Sequence, residues 1–516
     1  MSHRSFILAV TGLLLAVLVG CKDSNSPTDN GGGGGGGSTF TSGFTGNAVS
    51  LAPGTSAAAK LTGGTAPFSI TSAPNAAVAT ASISNDSIRI SAVAPGTTSV
   101  MVSDASPSSG DAQTLTIAIT VPVGSTITVS GAVKDFGDEP ISGAAVLIPG
   151  KTPVTSGADG SFSISGVTTP YDITFVVSSA RGAIVYKGLT RPDPTLHYFN
   201  SFFGTPKNAT ISGTVPAATG KTTRVIYISG DESWSTTAST TTGSYSFTIS
   251  WRGDTQTQNG RLYVLRWTAG ANGMPTAYDA YGDRDLAVSA GGTFSNNNFT
   301  AGQLTDPAEM NISGSVTRPS TNYTLTSRTM YIGFGNAIVT LASEGGTLGD
   351  NLSYTTANIT GATYAILARA QHNSSSRGTQ FLKKDLAPGA QGVSIPLTEA
   401  PQLSLPVSGG TQIDTSTSFL FSQGGGTGAN IILVSPNSSS DPAYQIFSSA
   451  ATFTIPNLAG QGLGLPSNRN YNWQVARLYP FSSMDEVASP TLIPRFSGRS
   501  GDVGQSGSET FTFTTR

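Results

Sequence analysis

The sequence is short of the residues that carry most protein chemistry. Cysteine occurs once, at Cys21, and histidine three times, at His3, His197 and His372. A single thiol makes no intramolecular disulfide and no thiolate zinc site. A histidine-based triad would have to use His197 or His372, which are far apart in the chain. Charge is scarce as well: 11% of residues are charged and the formal net charge is −2, so no basic field draws nucleic acid. No long helical periodicity is found beyond the first 20 residues. Glycine is abundant, at 62 residues, with serine and threonine frequent throughout. Short alternating apolar runs are broken by Gly, Pro, Asn and Asp. That pattern predicts an all-β chain of sandwiches, held by β-cores alone and using no cofactor.

Residues 1–20 read as a secretory signal. Arg4 gives a positive start, and the apolar run from Phe6 to Val19 is shorter than the roughly 20 residues a membrane span needs. The run ends in Leu18-Val19-Gly20-Cys21, which resembles the lipobox of bacterial lipoproteins. The resemblance implies that the Cys21 thiol is joined to a diacylglycerol, that the chain is cut before it, and that the new amino terminus is acylated. Lys22 stands where inner-membrane retention shows Asp, which points to the outer membrane. Residues 21–39 include seven consecutive glycines, from Gly31 to Gly37, and read as a flexible tether.

Removing the signal leaves about 495 residues, enough for three to five domains. Residues 40–122 contain Gly63-Gly64-Thr65-Ala66-Pro67-Phe68, a Pro95-Gly96-Thr97 turn and the alternating strand Thr114-Leu115-Thr116-Ile117-Ala118-Ile119-Thr120-Val121. This order resembles bacterial Ig-like domains. Residues 123–206 contain Val129-Ser130-Gly131-Ala132-Val133, a Gly137-Asp138-Glu139-Pro140 turn, Asp159-Gly160-Ser161-Phe162-Ser163-Ile164 and Tyr171-Asp172-Ile173-Thr174-Phe175. They resemble the carboxypeptidase regulatory-like domain, which implies a seven-stranded transthyretin-like sandwich without the peptidase's zinc ligands. The entry strand recurs as Ile211-Ser212-Gly213-Thr214-Val215 and Ile312-Ser313-Gly314-Ser315-Val316. It opens diverged sandwiches over 207–306 and 307–400. Tyr471-Asn472-Trp473-Gln474-Val475 and Phe511-Thr512-Phe513-Thr514, within 401–516, are similar to fibronectin type III modules. The fold class is therefore tandem Ig-like and transthyretin-like sandwiches, and residues 125–203 are expected to fold alone.

Four stretches are candidates for binding. Asp231-Glu232-Ser233-Trp234 sets a tryptophan beside two carboxylates ahead of a Ser/Thr-rich segment, which predicts a loop. An aromatic face with polar neighbours suits stacking on a sugar ring, and the competing reading is an ordinary packed or exposed Trp. Trp251, Trp267 and Trp473 lie in alternating runs and are expected in cores. Asp279, Asp283 and Asp285 gather the oxygens a calcium loop needs, but their spacing matches no known loop, and a plain acidic turn competes. Arg252-Gly253-Asp254 would serve adhesion only on an exposed turn. The glycines between 424 and 428 are a further place for a binding loop.

The expected function is that of a non-catalytic, lipid-anchored envelope protein, a β-sandwich array for adhesion, scaffolding or ligand presentation. The alternative is a glycan-binding lipoprotein of a polysaccharide uptake system. Expected partners are the membrane, through the lipid on Cys21, and a glycan or a surface protein. Cys21→Ser should release the protein from membranes, because several acyl chains contribute about 0.8 kcal/mol per buried CH2. Retention of that variant in the outer-membrane fraction after a carbonate wash would refute the lipid anchor.

Overall fold

The computed structural model describes residues 40–490 and 501–516, apart from 53–54, 77, 94–95, 106–112, 123–125, 178–180 and 200–203. The lipobox Leu18-Val19-Gly20-Cys21 and the glycine tether lie outside the described residues. Among the described residues strands dominate, and the single α-helix is Met484–Val487. The tandem β-sandwich architecture follows from alternation. In Thr114–Val121, Leu115, Ile117, Ile119 and Val121 are buried and the residues between them are exposed. This strand pairs with Gly96–Ser103 in one of two four-stranded sheets that close over a core containing Ile88, Ile90, Val100 and Val102.

The next three units share one topology. Each has a three-stranded sheet centred on the recurring entry strand, namely Thr126–Asp135, Lys207–Thr214 and Glu309–Thr317. Each entry strand takes an antiparallel partner on one side and a parallel one on the other. The antiparallel registers coincide: Gly131 faces Phe162, Gly213 faces Tyr245 and Gly314 faces Leu352. A Cβ on these glycines would strike the carbonyls of Pro194, Asn297 and Val393 respectively. The recurring glycine is therefore a steric requirement of close backbone approach, which ties the sequence repeat to the repeated fold. The second face of each unit is four strands in equivalent order. In the second unit these are Val154–Thr155, Ala145–Leu147, Tyr171–Val177 and Gly182–Leu189. Phe162, Ile164, Tyr171, Ile173 and Phe175 point inward between the two faces.

The last segment does not extend the row. Its strand Ala443–Ser448 pairs in parallel with Gly182–Leu189, from Gly182 opposite Ala443 to Tyr186 opposite Phe447. Its strand Val503–Gly507 pairs antiparallel with Gly378–Leu386 of the fourth unit. The second, last and fourth units thereby share one 14-stranded sheet. Burial alternates across the first junction. Ile184 and Tyr186 join Ile431, Leu433 and Phe447 in the second unit's core. Ala183 and Val185 join Ile432, Val434 and Ile446 in the last unit's core, which Trp473, Phe419 and Phe453 fill. The small sheets of these two units thus cover opposite faces of the shared sheet. A clasp locks the junction: Asp485 accepts from the backbone N–H groups of Thr190 (2.8 Å) and Arg191 (3.1 Å), and the Arg191 guanidinium donates to the Asp485 carbonyl at 2.6 Å. The described residues of 125–203 thus share their core with the last segment, which bears on the expectation that they fold alone.

The third and fourth units share a core as well, in which Ile226, Leu265, Trp267 and Tyr278 meet Ile332, Val339 and Leu341. Above it lies a buried polar network. Arg328 pairs with Glu344 at 2.9 Å, Tyr354 donates its hydroxyl to Glu344, and the Asn272 amide of the third unit donates to Glu344 at 2.8 Å. With Gly253 seated on Glu139 of the second unit, the four units form a closed circuit. Phe447 is fully buried and stacks on Tyr186 at 4.6 Å. Phe447→Ala should cost about 3–5 kcal/mol. Hydrogen exchange should quicken within residues 171–189 as well as in the last segment. Exchange confined to residues 401–516 would contradict the shared core.

Candidate functional site

The structure redistributes the residues singled out by sequence. Trp234 lies not on a loop but on strand Glu232–Thr237, opposite Tyr227 at a ring separation of 6.0 Å. It is half-buried against the third unit's core. Asp231 sits in the tight turn before it, and Glu232 is the first residue of the strand, opposite Ser229. The local polarity that suggested a loop belongs to the outer side of an edge strand. Trp251, Trp267 and Trp473 are in cores, as expected.

Asp279, Asp283 and Asp285 lie neither in a calcium loop nor in a turn but along strand Pro275–Ser289. Each has a cationic neighbour. Asp279 accepts from Arg266 at 2.9 Å and pairs with Lys221. Burial works against its ionisation, but those two cations outweigh it and hold its carboxyl below the usual range. Arg261 pairs with Asp283 and reaches Asp285 at 3.5 Å. Arg252-Gly253-Asp254 is a bend against the second unit, where the Arg252 guanidinium donates to the Gly204 carbonyl at 3.4 Å. The glycine run near 424 is a packing device. Gly424 has φ +72°, and a Cβ there would strike the Glu399 carbonyl. The Gly426 carbonyl accepts from Arg477 at 2.6 Å.

The two histidines serve local structure. His197 is buried, with Nε2 3.3 Å from Asp138. Burial opposes ionisation of Asp138, yet the bonds from His197 and Lys134 hold its pKa below the ordinary value. His372 Nδ1 lies 3.0 Å from Ser375 Oγ, and Arg377 approaches Nε2 at 3.0 Å. The Ser374 backbone N–H also donates to Nδ1 at 3.3 Å, and the Arg377 backbone and guanidinium N–H groups donate to Ser375 Oγ, so the imidazole and the serine are held in a local turn network.

Sequence reasoning missed a cleft of about 690 Å³ between the third and fourth units. One wall is the outer face of the third unit's sheet, where Arg261, Tyr263, Tyr281 and Asp283 stand side by side. Strand register sets this arrangement. Tyr263 faces Asp283 and Leu265 faces Tyr281 across Thr257–Ala269 and Pro275–Ser289. The two tyrosines are therefore diagonal neighbours on one face. Farther along that face, Leu265 and Trp267 are sealed under the fourth unit. The opposite wall is formed by Asp306, Asn358 and Thr360, and Phe334 stacks on Tyr263 at 4.0 Å. Burial, then the neighbouring Asp283 carboxylate, pushes the Tyr281 phenol well above its usual pKa. Burial likewise raises Tyr263. The sequence did carry a signal: aromatic and charged residues occupy alternate positions in Arg261-Leu262-Tyr263 and Tyr281-Gly282-Asp283. It reads as a half-exposed strand and does not reveal what stands opposite.

A second groove, of about 440 Å³, follows the seam between the fourth and last units. Arg369 donates to Gln380 at 2.9 Å, and the Gln380 amide donates to Gln505 at 2.9 Å across the joined strands. This groove has polar planar groups and no aromatic lining residue. Among the described residues no group of three or more His, Cys, Asp or Glu side chains is placed to hold a metal ion.

Because Trp234 contributes to packing, Trp234→Ala should lower stability by about 1–3 kcal/mol, the scale of a partly buried aromatic truncation. An unchanged melting temperature would return it to the role of an exposed ligand platform.

No protein-family model and no curated protein matches the chain. Among solved structures it is similar to the Bacillus anthracis TIE protein, at 9% identity over 71% of this chain and 75% of that one, with a TM-score of 0.18. It is similar to a tetra-tandem repeat in the extending region of a large adhesion protein, at 9% identity over 91% and 99% of the two chains, with a TM-score of 0.14. It is also similar to SGBP-B of the Bacteroides ovatus mixed-linkage glucan utilization locus, at 12% identity over 60% and 88%, with a TM-score of 0.11. Alignments this loose identify no family, and the β-sandwich architecture rests on the sheets themselves.

Proposed function

We propose that the chain is a non-catalytic, lipid-anchored protein of the bacterial outer membrane whose folded body presents a binding surface for adhesion or glycan capture. The observation that carries this reading is the 14-stranded sheet joining the second, last and fourth units. Such a sheet makes a stiff body, and binding residues placed on stiff strands keep their geometry without closing a lid. The run from Gly31 to Gly37 and the Cys21 motif, as read in the sequence, would supply the stand-off and the anchor. Both histidines are engaged in local contacts, His197 with Asp138 and His372 with Ser374, Ser375 and Arg377, which is in keeping with a binding role. The lining of the cleft, with aromatic, amide and carboxylate groups, favours a polar ligand over a lipid or an apolar peptide.

Cells displaying the chain should be retained on polysaccharide-coated surfaces, and cells expressing Cys21→Ser should not. The purified chain should release no product from peptidase, esterase or glycosidase substrates. Turnover on any of these panels, lost in His372→Ala, would overturn the non-catalytic reading.

A further inference from the structure

We infer that the cleft between the third and fourth units is a binding site for a neutral oligosaccharide. This inference rests on the binding role proposed above and deepens it by naming the site and the ligand class.

The argument starts from equivalent strands. In the second and fourth units the last strand of the larger face, Gly182–Leu189 or Gly378–Leu386, is covered by a strand of the last segment. The equivalent strand of the third unit is Pro275–Ser289. No strand of the last segment pairs with it among the described residues. Instead the linker into the fourth unit lies along it: Tyr281 and Thr305 exchange backbone hydrogen bonds of 2.7 and 2.8 Å, Gln303 and Leu304 lie against Gly282, and Glu309 accepts from the Tyr278 backbone N–H at 2.6 Å. Between these contacts the linker turns away through Asp306 and Pro307, and the space it leaves is the cleft.

The side chains in that space are chosen for recognition. Tyr281 gives a phenol ring beside Tyr263, whose own ring is stacked on Phe334 of the fourth unit at 4.0 Å, so the diagonal pair offers a sugar one ring and one phenol edge. Arg261 and Asp283 are already paired, and Tyr281 stands beside Asp283 on the same face of the strand, so the carboxylate and guanidinium are positioned before a ligand arrives. A sugar hydroxyl both donates and accepts, and it is satisfied by such a carboxylate–guanidinium–phenol row. The charge balance selects among sugars. Asp283, Asp285 and Asp306 face or flank the cleft against Arg261, and Arg261 is already paired with Asp283. An anionic uronate or sulfated glycan would meet uncompensated carboxylates, whereas a neutral glycan would not.

The full chain, purified in mild detergent, can be titrated with neutral glucan and mannan oligosaccharides, using uronate and sulfated oligosaccharides as anionic comparators. Saturable binding to a neutral member is expected. Tyr281→Ala should weaken it at least tenfold, and Tyr281→Phe should weaken it less. Tyr281 also packs in the fold, so Thr360→Trp is the companion variant. Thr360 is exposed on the opposite wall, and an indole there should block the cleft without changing the melting temperature. Neutral-glycan binding unaffected by both variants would overturn this site while leaving the glycan-binding role intact. Absence of binding to every neutral oligosaccharide, or preference for the anionic ones, would overturn the inference, and the membrane anchor would still stand or fall on Cys21→Ser.

Discussion

The pairing of Gly182–Leu189 with Ala443–Ser448 is the interaction on which the rest of the body depends. A sandwich unit ends in an edge strand whose N–H and C=O groups need partners, and an open edge invites association with other chains. Here the edge of the second unit is closed by the last segment of the same chain, and the fourth unit's edge is closed by its far side. Each net backbone hydrogen bond contributes only about 0.5–1.5 kcal/mol. The larger contribution is apolar. Alternate residues of the junction strands enter two cores on opposite faces, so separating the units would expose Tyr186 and Phe447 on one face and Val185 and Ile446 on the other.

This closure bears on a chain whose single cysteine excludes an internal disulfide. A disulfide stabilises chiefly by restricting the unfolded state. The shared sheet instead couples folded units to each other, so one unit does not open without exposing its neighbour's core. The buried Arg328–Glu344 pair is in keeping with that coupling, because Tyr354 of the fourth unit shares the Glu344 oxygen that Arg328 pairs with while Asn272 of the third unit donates to the other. A buried pair is weak evidence for stability by itself. It does require those units to meet in one register.

The local half of the fold was legible in the sequence. Leu115, Ile117, Ile119 and Val121 announced a strand and its buried face. Gly131, Gly213 and Gly314 marked a recurring entry strand, and only the structure shows that each is a close contact, with the carbonyls of Pro194, Asn297 and Val393. The closure was not legible. Pairing between Gly182 and Ala443 joins segments far apart in the chain and leaves no periodicity behind. A parallel strand buried on both faces, such as Ala443–Ser448, reads as a short apolar run whatever its partner. Trp234 was misplaced for a related reason. A polar, Ser/Thr-rich stretch fits an edge strand as well as it fits a loop, and only the register with Tyr227 decides between them. The acidic run from Asp279 to Asp285 was misread because its cations, Lys221, Arg261 and Arg266, come from other strands.

The same register bears on the chemistry of the cleft, which packing alone does not account for. Leu265 and Trp267 show what the third unit uses where its sheet must seal against the fourth: large apolar side chains, fully covered. A few residues along the same face the chain carries Arg261, Tyr263, Tyr281 and Asp283. Exposed ion pairs such as Arg261 with Asp285 contribute about 0–1 kcal/mol, so stability gives little reason to choose them over aliphatic residues. The phenols do some packing, since Tyr263 stacks on Phe334, but a phenylalanine would do as much without requiring a partner for its hydroxyl. Tyr281 stands beside Asp283, and Asp283 is paired with Arg261. A row of polar groups that satisfies itself, faces an open wall and adds little to folding is what a surface needs in order to hold hydroxylated ligands without rearranging.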